Sequence, residues 1–251
     1  MVRKMSNLFA FILLLLPFWI VSVASYPFVP LHGRDDGVSP SPLGGTDNKT
    51  DIVYCGKMED ATFLTEGDPE TGPGFYVTNQ DTSGENYFLY ENSRDTHSWK
   101  YLHVPSGARR FVQVCDAWQG RIVRGTPNSN TDGNVLSLAT WVESSVLNGV
   151  MSGDISFLQG CGGGAKITSN DGRGVIRGCM VDMLSGAPLE NKGTGTPALK
   201  RITGDGFSQA AKDWDLSKCD ASQVFLLETN LHPIMDSTNS RFEVTFYKGK
   251  A

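Results

Sequence analysis

The sequence predicts an all-β protein, a sandwich or barrel of short strands, and three observations support this prediction. Apolar and polar residues alternate in many segments of about four to eight residues, the period of half-buried strands. Gly, Asn, Asp and Pro separate these segments, and glycine accounts for 28 of the 251 residues. Long stretches with helical periodicity are almost absent. Many short strands between turn signals are typical of packed or closed antiparallel sheets.

Ten segments carry the alternation, and one short helix is predicted in the C-terminal third of the chain. The helix is expected at "QAAKDW", because Ser208 can cap its first turn with a side-chain oxygen. The strand segments in chain order are "GFYVTN", "ENYFLYEN", "WKYLHV", "RRFVQVC", "GRIVRG", "VLSLATWVE", "GDISFL", "AKITS", "GVIRGCMVDM" and "RFEVTFYK".

The pair Asn148-Gly149 is the strongest turn signal in the chain. A two-residue type I′ turn needs positive φ at both central positions, which Asn and Gly tolerate best. If these two residues form the turn, Glu143 lies directly opposite Asp154 in the hairpin. Two like charges facing each other across a sheet are destabilising. We therefore expect a neighbouring group to compensate for them.

Pairing residues outward from the turn also assigns the two faces of this hairpin, since side chains alternate along a strand. One face is apolar and is predicted to join the core; it consists of Leu136, Leu138, Thr140, Val142, Ile155 and Phe157. The other face combines two carboxylates, a hydroxyl and an indole; it consists of Ala139, Trp141, Glu143, Asp154, Ser156 and Leu158.

The chain opens with a segment that predicts export. Arg3 and Lys4 precede an uncharged run over residues 8–23, and small residues follow, so residues 1–25 are interpreted as a signal peptide. A membrane anchor is the alternative, but this run is broken by Pro17 and is shorter than the roughly 20 residues of a span. We expect a secreted protein, extracellular or in a cell wall, with no stable membrane insertion after cleavage.

Residues 26–50 are predicted to be a flexible linker or propeptide, because they contain four of the 12 prolines and little apolar periodicity. They include the N-glycosylation sequon at Asn48. Residues 51–251 are predicted to form one domain, and we expect a monomer. Removal of the two leader cations takes the formal net charge from −5 to −7. Such a chain is badly suited to bind nucleic acid, whose phosphates attract Lys and Arg.

Five cysteines lie beyond the leader: Cys55, Cys115, Cys161, Cys179 and Cys219. Their spacing matches no zinc pattern, and the histidines stand apart, so no metal site and no cofactor are predicted. In an exported protein the expectation is two disulfides and one free thiol. Of the possible pairings we favour Cys161 with Cys179, because the glycine-rich segment between them contains a turn signal at "NDG".

Several of these segments together resemble the thaumatin-like proteins, the pathogenesis-related group 5 fold. The resemblance covers about half of the chain after residue 25, scattered over residues 75–160 and the final strand, with the pieces in the family's order. The segments are "FYVTNQ", "HSWKYLHVPSG", "RIVRGT", "LATWVE", "GDISFLQG" and "RFEVTFYK". The resemblance implies an antiparallel β-sandwich of thaumatin-like type.

The chain departs from the family in its cysteines. The family carries a dense disulfide network, whereas this chain has only five cysteines. The first and the last family cysteines, which bond each other, would fall at Asp81 and Tyr247. Because both cysteines are missing, the whole disulfide is absent and neither position is left with an unpaired thiol. The disulfide-rich second domain has no visible counterpart, so the resemblance leaves residues 162–235 unexplained and indicates a remote, cysteine-poor relative.

The resemblance also implies an acidic cleft built from an arginine, a glutamate and aspartates. Glu143 matches the glutamate and Asp154 the first aspartate, while Gln159 replaces the next acid. The arginine corresponds to Arg124 after a one-residue shift, or less well to Arg121. With Trp141 and Ser156 on the same face, these residues form the predicted ligand site. The alternative is that both acids are solvated residues on an outer face, without a ligand.

Two function classes follow, and a third stays open. In the first, the protein binds a β-glucan or another cell-wall polysaccharide, and a nearby arginine lowers the pKa of both acids. In the second, it is a weak endo-β-1,3-glucanase with Glu143 and Asp154 as catalytic residues. Carboxyls about 5–5.5 Å apart suit a retaining mechanism, in which one of them is held protonated. The third class is a secreted effector or interaction protein without a sugar site.

Overall fold

The computed structural model describes residues 54–56, 61–92, 94, 97–125, 138–193, 198–227 and 233–249. The predicted signal peptide, the linker and the sequon at Asn48 lie outside these residues. Within the described part, no helix combines the length and apolar composition that crossing a membrane would require.

The described residues form the two-sheet, all-β architecture that the alternation predicts. The strands are β1 (Thr62–Leu64), β2 (Gly74–Asn79), β3 (Glu85–Glu91), β4 (Lys100–Val104), β5 (Arg109–Gln113), β6 (Gln119–Gly125), β7 (Trp141–Leu147), β8 (Val150–Ser156), β9 (Gly163–Ser169), β10 (Ile176–Cys179), β11 (Met235–Ser237) and β12 (Arg241–Gly249). One sheet has seven strands in the order β1-β4-β3-β6-β7-β8-β11, and the other has five in the order β10-β9-β12-β2-β5. Most neighbours are antiparallel, but β1 pairs with β4 and β12 with β2 in parallel.

The inner faces of the two sheets supply the core. Phe75 and Val244 from the five-stranded sheet belong to the same buried cluster as Val142, Ile155 and Phe157 from the hairpin segment. The predicted core face of the hairpin is therefore confirmed for these three residues. A smaller buried cluster lies on the outer face of the seven-stranded sheet and includes Phe88, Tyr90, Val123 and Ala139.

The predicted helix is confirmed and runs longer than expected. Helix α1 spans Gln209–Lys218, and the side chain of Ser208 accepts a hydrogen bond from the backbone N–H of Ala211 at 3.2 Å. A short 3-10 helix, Leu189–Asn191, packs near α1. Both lie in the stretch that the family resemblance leaves unexplained.

The structure contains two disulfides and one free thiol, as predicted, but the favoured pairing is wrong. The bonds join Cys55 to Cys115 and Cys179 to Cys219, and Cys161 is free and buried. The hairpin register explains the difference, since Cys179 lies opposite Ala165 rather than opposite Cys161. Cys161 precedes β9 and pairs instead with Leu199 in an isolated bridge.

Arg124 connects Asp81 and Tyr247, the two positions where the family would have bonded cysteines. Its Nη1 donates to Oδ2 of Asp81 at 3.1 Å, and its Nη2 donates to the carbonyl of Tyr247 at 2.5 Å. The same Asp81 oxygen accepts the N–H of Gly249 at 2.9 Å. Burial acts to raise the pKa of Asp81, but hydrogen bonds from Gly249 and Thr82 and the Arg124 charge outweigh it and hold the pKa below its usual range. A buried polar link therefore ties β12 to β6.

Candidate functional site

The Asn-Gly hairpin forms as the sequence predicts. Asn148 and Gly149 have φ of 51° and 77°, the positive values that a type I′ turn requires. Strands β7 and β8 pair with Glu143 opposite Asp154. Because directly opposite residues share a face, the two carboxyls lie side by side, with Cβ atoms about 4.5–5.5 Å apart.

The two acids belong to a longer row that crosses four adjacent strands. Tyr90 on β3 lies opposite Arg121 on β6, which lies opposite Glu143 on β7, which lies opposite Asp154 on β8. We call these four residues the acid row. The cation faces only one of the two acids directly. Asp154 is one strand further away, about 9.5 Å across two strand spacings.

The structure brings Arg121, rather than Arg124, to the acids. Residues three apart on a strand point to opposite faces, so the two arginines of β6 cannot both lie beside Glu143. The Arg121 guanidinium lies 4.2 Å from the ring centroid of Trp141 and 5.1 Å from that of Tyr90. Contacts of this kind with aromatic faces hold a guanidinium in place. Arg124 instead takes part in the polar link with Asp81.

An apolar row borders the acid row on the side away from the turn. Trp141 lies opposite both Val123 and Ser156, and Val123 lies opposite Phe88. Trp141 is half-buried, whereas only 1% of Ser156 is exposed. The Ser156 hydroxyl accepts the N–H of Leu158 at 3.4 Å. The structure thus brings Trp141 and Ser156 next to the acid row, as the alternation of side chains along β7 and β8 predicts.

Gln159 is not part of these rows. It follows the end of β8 in a turn and is half-buried, so its amide does not extend the line of side chains on the sheet.

A second row, on the turn side, faces solvent. Its members are directly opposite one another on four strands; they are Gln119, Ser145, Ser152 and Asp236, and we call them the polar row. Gln119 and Asp236 are exposed and the two serines are half-buried. The Ser152 hydroxyl donates to Oδ1 of Asp236 at 2.5 Å. The alternation of side chains along β6, β7 and β8 could have predicted three of these residues. The strand that carries Asp236 is only three residues long, so it gives no alternation signal.

Both carboxyls of the acid row are buried. Glu143 is 8% exposed and Asp154 only 1%, and Arg121 is also buried. Burial, followed by the nearby Glu143 charge, raises the pKa of Asp154 well above its usual range. Oδ1 of Asp154 has no hydrogen-bond partner among the described residues. The protonated form of Asp154 is therefore favoured, and this removes the repulsion expected between two facing carboxylates. The expectation that a nearby arginine lowers the pKa of both acids is wrong for Asp154.

No metal-binding arrangement occurs in the part of the chain that the structure describes, since no three His, Cys, Asp or Glu side chains cluster there. The chemistry available on the outer face consists of an arginine, two carboxyls, hydroxyls and aromatic rings. Such groups can exchange hydrogen bonds with the hydroxyls of a polar ligand.

Comparison with known proteins finds similarity to solved structures, at low sequence identity. No protein-family model matches the sequence, and no curated protein matches it. Among solved structures, the chain is similar to "the thaumatin-like xylanase inhibitor TLXI", with a TM-score of 0.42 and 11% sequence identity. The superposition covers 70% of this chain and 99% of that one.

Proposed function

We propose that this chain is a secreted, monomeric carbohydrate-binding protein that recognises a β-glucan or another cell-wall polysaccharide with the outer face of its seven-stranded sheet. The observation that carries the proposal is the alignment of Arg121, Glu143 and Asp154 in one row, with Trp141 and Ser156 in the next. Carboxylates and guanidinium groups bind sugar hydroxyls, and an indole covers the apolar side of a pyranose ring. The arginine in this row is Arg121, which the sequence resemblance matched less well than Arg124.

The exposed polar row is the side from which a glycan would approach. Gln119 and Asp236 are open to solvent, and Ser145 and Ser152 lie between them on the same face. A sugar held by these amide, hydroxyl and carboxylate groups would lie next to Glu143. In this arrangement the buried Asp154 lies beside Glu143 on the same face and does not touch the ligand.

Burial favours binding over hydrolysis. A catalytic acid must come within about 2.6–3.2 Å of the atom that it protonates. With 1% of Asp154 exposed, a glycosidic bond reaches its carboxyl only if the surrounding chain moves. Binding at the polar row needs no such movement.

A pull-down on insoluble β-glucan tests the proposal. Asp236→Ala removes an exposed carboxylate at low risk to folding, and Glu143→Gln removes the neighbouring buried charge at constant size. We expect each to weaken binding at least about tenfold, since a hydrogen bond to a charged group contributes about 1.5–3 kcal/mol. Asp213→Asn is the matched control, because this acid is exposed on α1, and it should bind as the unaltered protein does. Unchanged binding in both site variants would discard the site.

Hydrolysis is the second candidate, and one observation favours it. A carboxyl that is held protonated beside a second carboxyl is typical of glycosidases, in which one group donates a proton and the other attacks. The facing positions of Glu143 and a protonated Asp154 have the short spacing that suits a retaining enzyme. Release of reducing ends from a laminarin-type glucan, abolished by Asp154→Asn, would identify an endo-β-1,3-glucanase. Absence of both release and binding would leave an interaction or effector protein.

A further inference from the structure

Three sulfur atoms meet beside helix α1. The Sδ atom of Met183 lies 3.3 Å from Sγ of Cys219 and 3.6 Å from Sγ of Cys179. The two cysteines are bonded to each other, and all three residues are buried. We call these residues the sulfur cluster. Local sequence spacing does not predict the cluster, because its two cysteines are 40 residues apart.

A different part of the chain positions each member of the cluster. Cys179 is the last residue of β10, and Cys219 directly follows α1. The segment that carries Met183 is joined to α1, since the Trp214 indole N–H donates to the Met183 carbonyl at 2.9 Å. The pairing of β10 with β9 and the hydrogen bond of Trp214 do not depend on the disulfide. We therefore expect the three sulfurs to stay together when the disulfide is reduced.

Sulfur is the only side-chain ligand that this cluster offers among the described residues. No three His, Cys, Asp or Glu side chains come together in that part of the chain. Asp182 is the acid next to Met183, but its carboxylate is already used. Its Oδ1 accepts the N–H groups of Leu184 and Ser185 at 3.1 and 2.9 Å. Its Oδ2 forms an ion pair with Lys248 at 3.1 Å.

Two thiolates and a thioether are the ligands that a soft metal ion such as Cu(I) prefers. Structural zinc sites instead use four ligands from Cys, His, Asp and Glu, and a thioether is not one of them. With metal–sulfur bonds of about 2.3 Å, the sulfurs of a trigonal site lie about 4 Å apart. The distances from Met183 to the two cysteines are already close to this separation. Only the two cysteine sulfurs must move apart.

We propose that the sulfur cluster binds one Cu(I) ion when its disulfide is reduced. A dithiol supplies the two electrons: exchange breaks the bond between Cys179 and Cys219, leaves two protein thiols and converts the dithiol to its disulfide. Binding of Cu(I) then releases both thiol protons to solvent, and the copper keeps its oxidation state. In the oxidised protein no thiolate is available in the cluster, so the disulfide and the metal exclude each other. No residue of the acid row or the polar row takes part, so this site is independent of the proposed glycan site.

Protection from alkylation measures binding at these two cysteines. The full-length protein is reduced with a dithiol, separated from it under nitrogen, and placed in Cu(I) solutions buffered by bicinchoninate. N-ethylmaleimide then modifies the unprotected thiols, and peptide mapping reports each cysteine separately. We expect Cys179 and Cys219 to become protected together as the Cu(I) concentration rises. Full modification of both cysteines at every Cu(I) concentration would overturn the proposal.

Met183→Leu tests the thioether, because leucine replaces methionine with little change in volume. Groups that only support a metal ligand change metal affinity about 10–100-fold, so loss of a direct ligand should raise the Cu(I) concentration at half-protection at least about tenfold. The matched control is Met151→Leu, since Met151 is also fully buried but lies on β8. This control should match the unaltered protein. An unchanged midpoint in Met183→Leu, or an equal rise in both variants, would refute the site.

X-ray absorption at the copper edge provides a second readout, which a general loss of stability would not change. With one equivalent of Cu(I), the unaltered reduced protein should show three sulfur neighbours at about 2.3 Å. Met183→Leu should show two, and Met151→Leu should show three. Two sulfur neighbours in the unaltered protein would exclude Met183 as a ligand, and nitrogen or oxygen neighbours would exclude a site made of sulfur alone.

Discussion

Replacing Asp81 by asparagine should destabilise the protein by about 3 kcal/mol at neutral pH, the lower end of the roughly 3–5 kcal/mol lost when one partner of a buried ion pair is removed. The side chains of Arg124 and Asp81 are only 4% and 7% exposed, and their charged atoms are 3.1 Å apart. The substitution leaves the Arg124 charge buried without its anion. The lower end is expected because asparagine keeps an oxygen that can accept the N–H of Gly249.

Urea unfolding measures this loss. With an m-value of about 2 kcal/mol/M, the midpoint should fall by about 1.5 M. The matched control is Glu243→Gln, since Glu243 pairs with Arg109 at the same 3.1 Å, but with side chains 43% and 44% exposed. Exposed pairs contribute about 0–1 kcal/mol, so this variant should unfold almost as the unaltered protein does.

The pH dependence of the Asp81→Asn effect has a definite sign. The pKa of Asp81 is held below its usual range in the folded protein. Its contribution is therefore present at neutral pH and is lost as the pH falls through the folded-state pKa. The difference between the two proteins should shrink below about pH 4. A loss under about 1 kcal/mol at neutral pH would refute the reasoning, since the pair would then behave as an exposed one.

Four further outcomes are expected. Gly149→Ala should lower the free energy of unfolding by about 1–2 kcal/mol, because alanine is strained at a φ of 77°. An unchanged melting temperature would argue against the tight turn. Asp154→Asn should remove a fall in stability that otherwise develops as the pH rises from about 4 towards the raised pKa of Asp154, and parallel pH profiles would contradict its protonated state. Ser208→Ala should cost about 1 kcal/mol through loss of the helix cap, seen as a lower urea midpoint. In peptide mapping without reduction, Cys161 alone should be alkylated after denaturation, and modification of any other cysteine would contradict the two bonds.

The hairpin was predictable because its signal is local. Asn148 and Gly149 specify the turn, and the turn fixes which residues of β7 and β8 face each other. The short helix was predictable for the same reason, since Ser208, which caps it, directly precedes it. Most strands follow from alternation, but β1 and β11 are only three residues long and contain too little of a pattern.

The site was less predictable because it depends on pairing between distant segments. Arg121 and Arg124 point to opposite faces of β6, because they are three positions apart. A one-residue error in aligning this strand with a family therefore selects the arginine on the wrong face. Only the register of β6 against β7 identifies the arginine beside Glu143. The alternation along β8 likewise does not predict that Asp154 is only 1% exposed.

The disulfides show the same limit of local reasoning. The bonded cysteines are separated by 60 and 40 residues, and no turn signal near either of them indicates its partner. The favoured pair, Cys161 and Cys179, was the closest in sequence but lies out of register in the hairpin that joins them.

The position of β12 has a consequence for how the protein acquires its fold. This strand is inserted between β9 and β2, in the middle of the five-stranded sheet. Until residues 241–249 have left the ribosome, β2 and β9 have no common neighbour and the nascent sheet stays divided. Pairing over such a distance along the chain is slow to form. A polypeptide with this strand order completes its core only after residues 241–249 have been synthesised. Until then it stays unfolded enough to be threaded through a membrane channel.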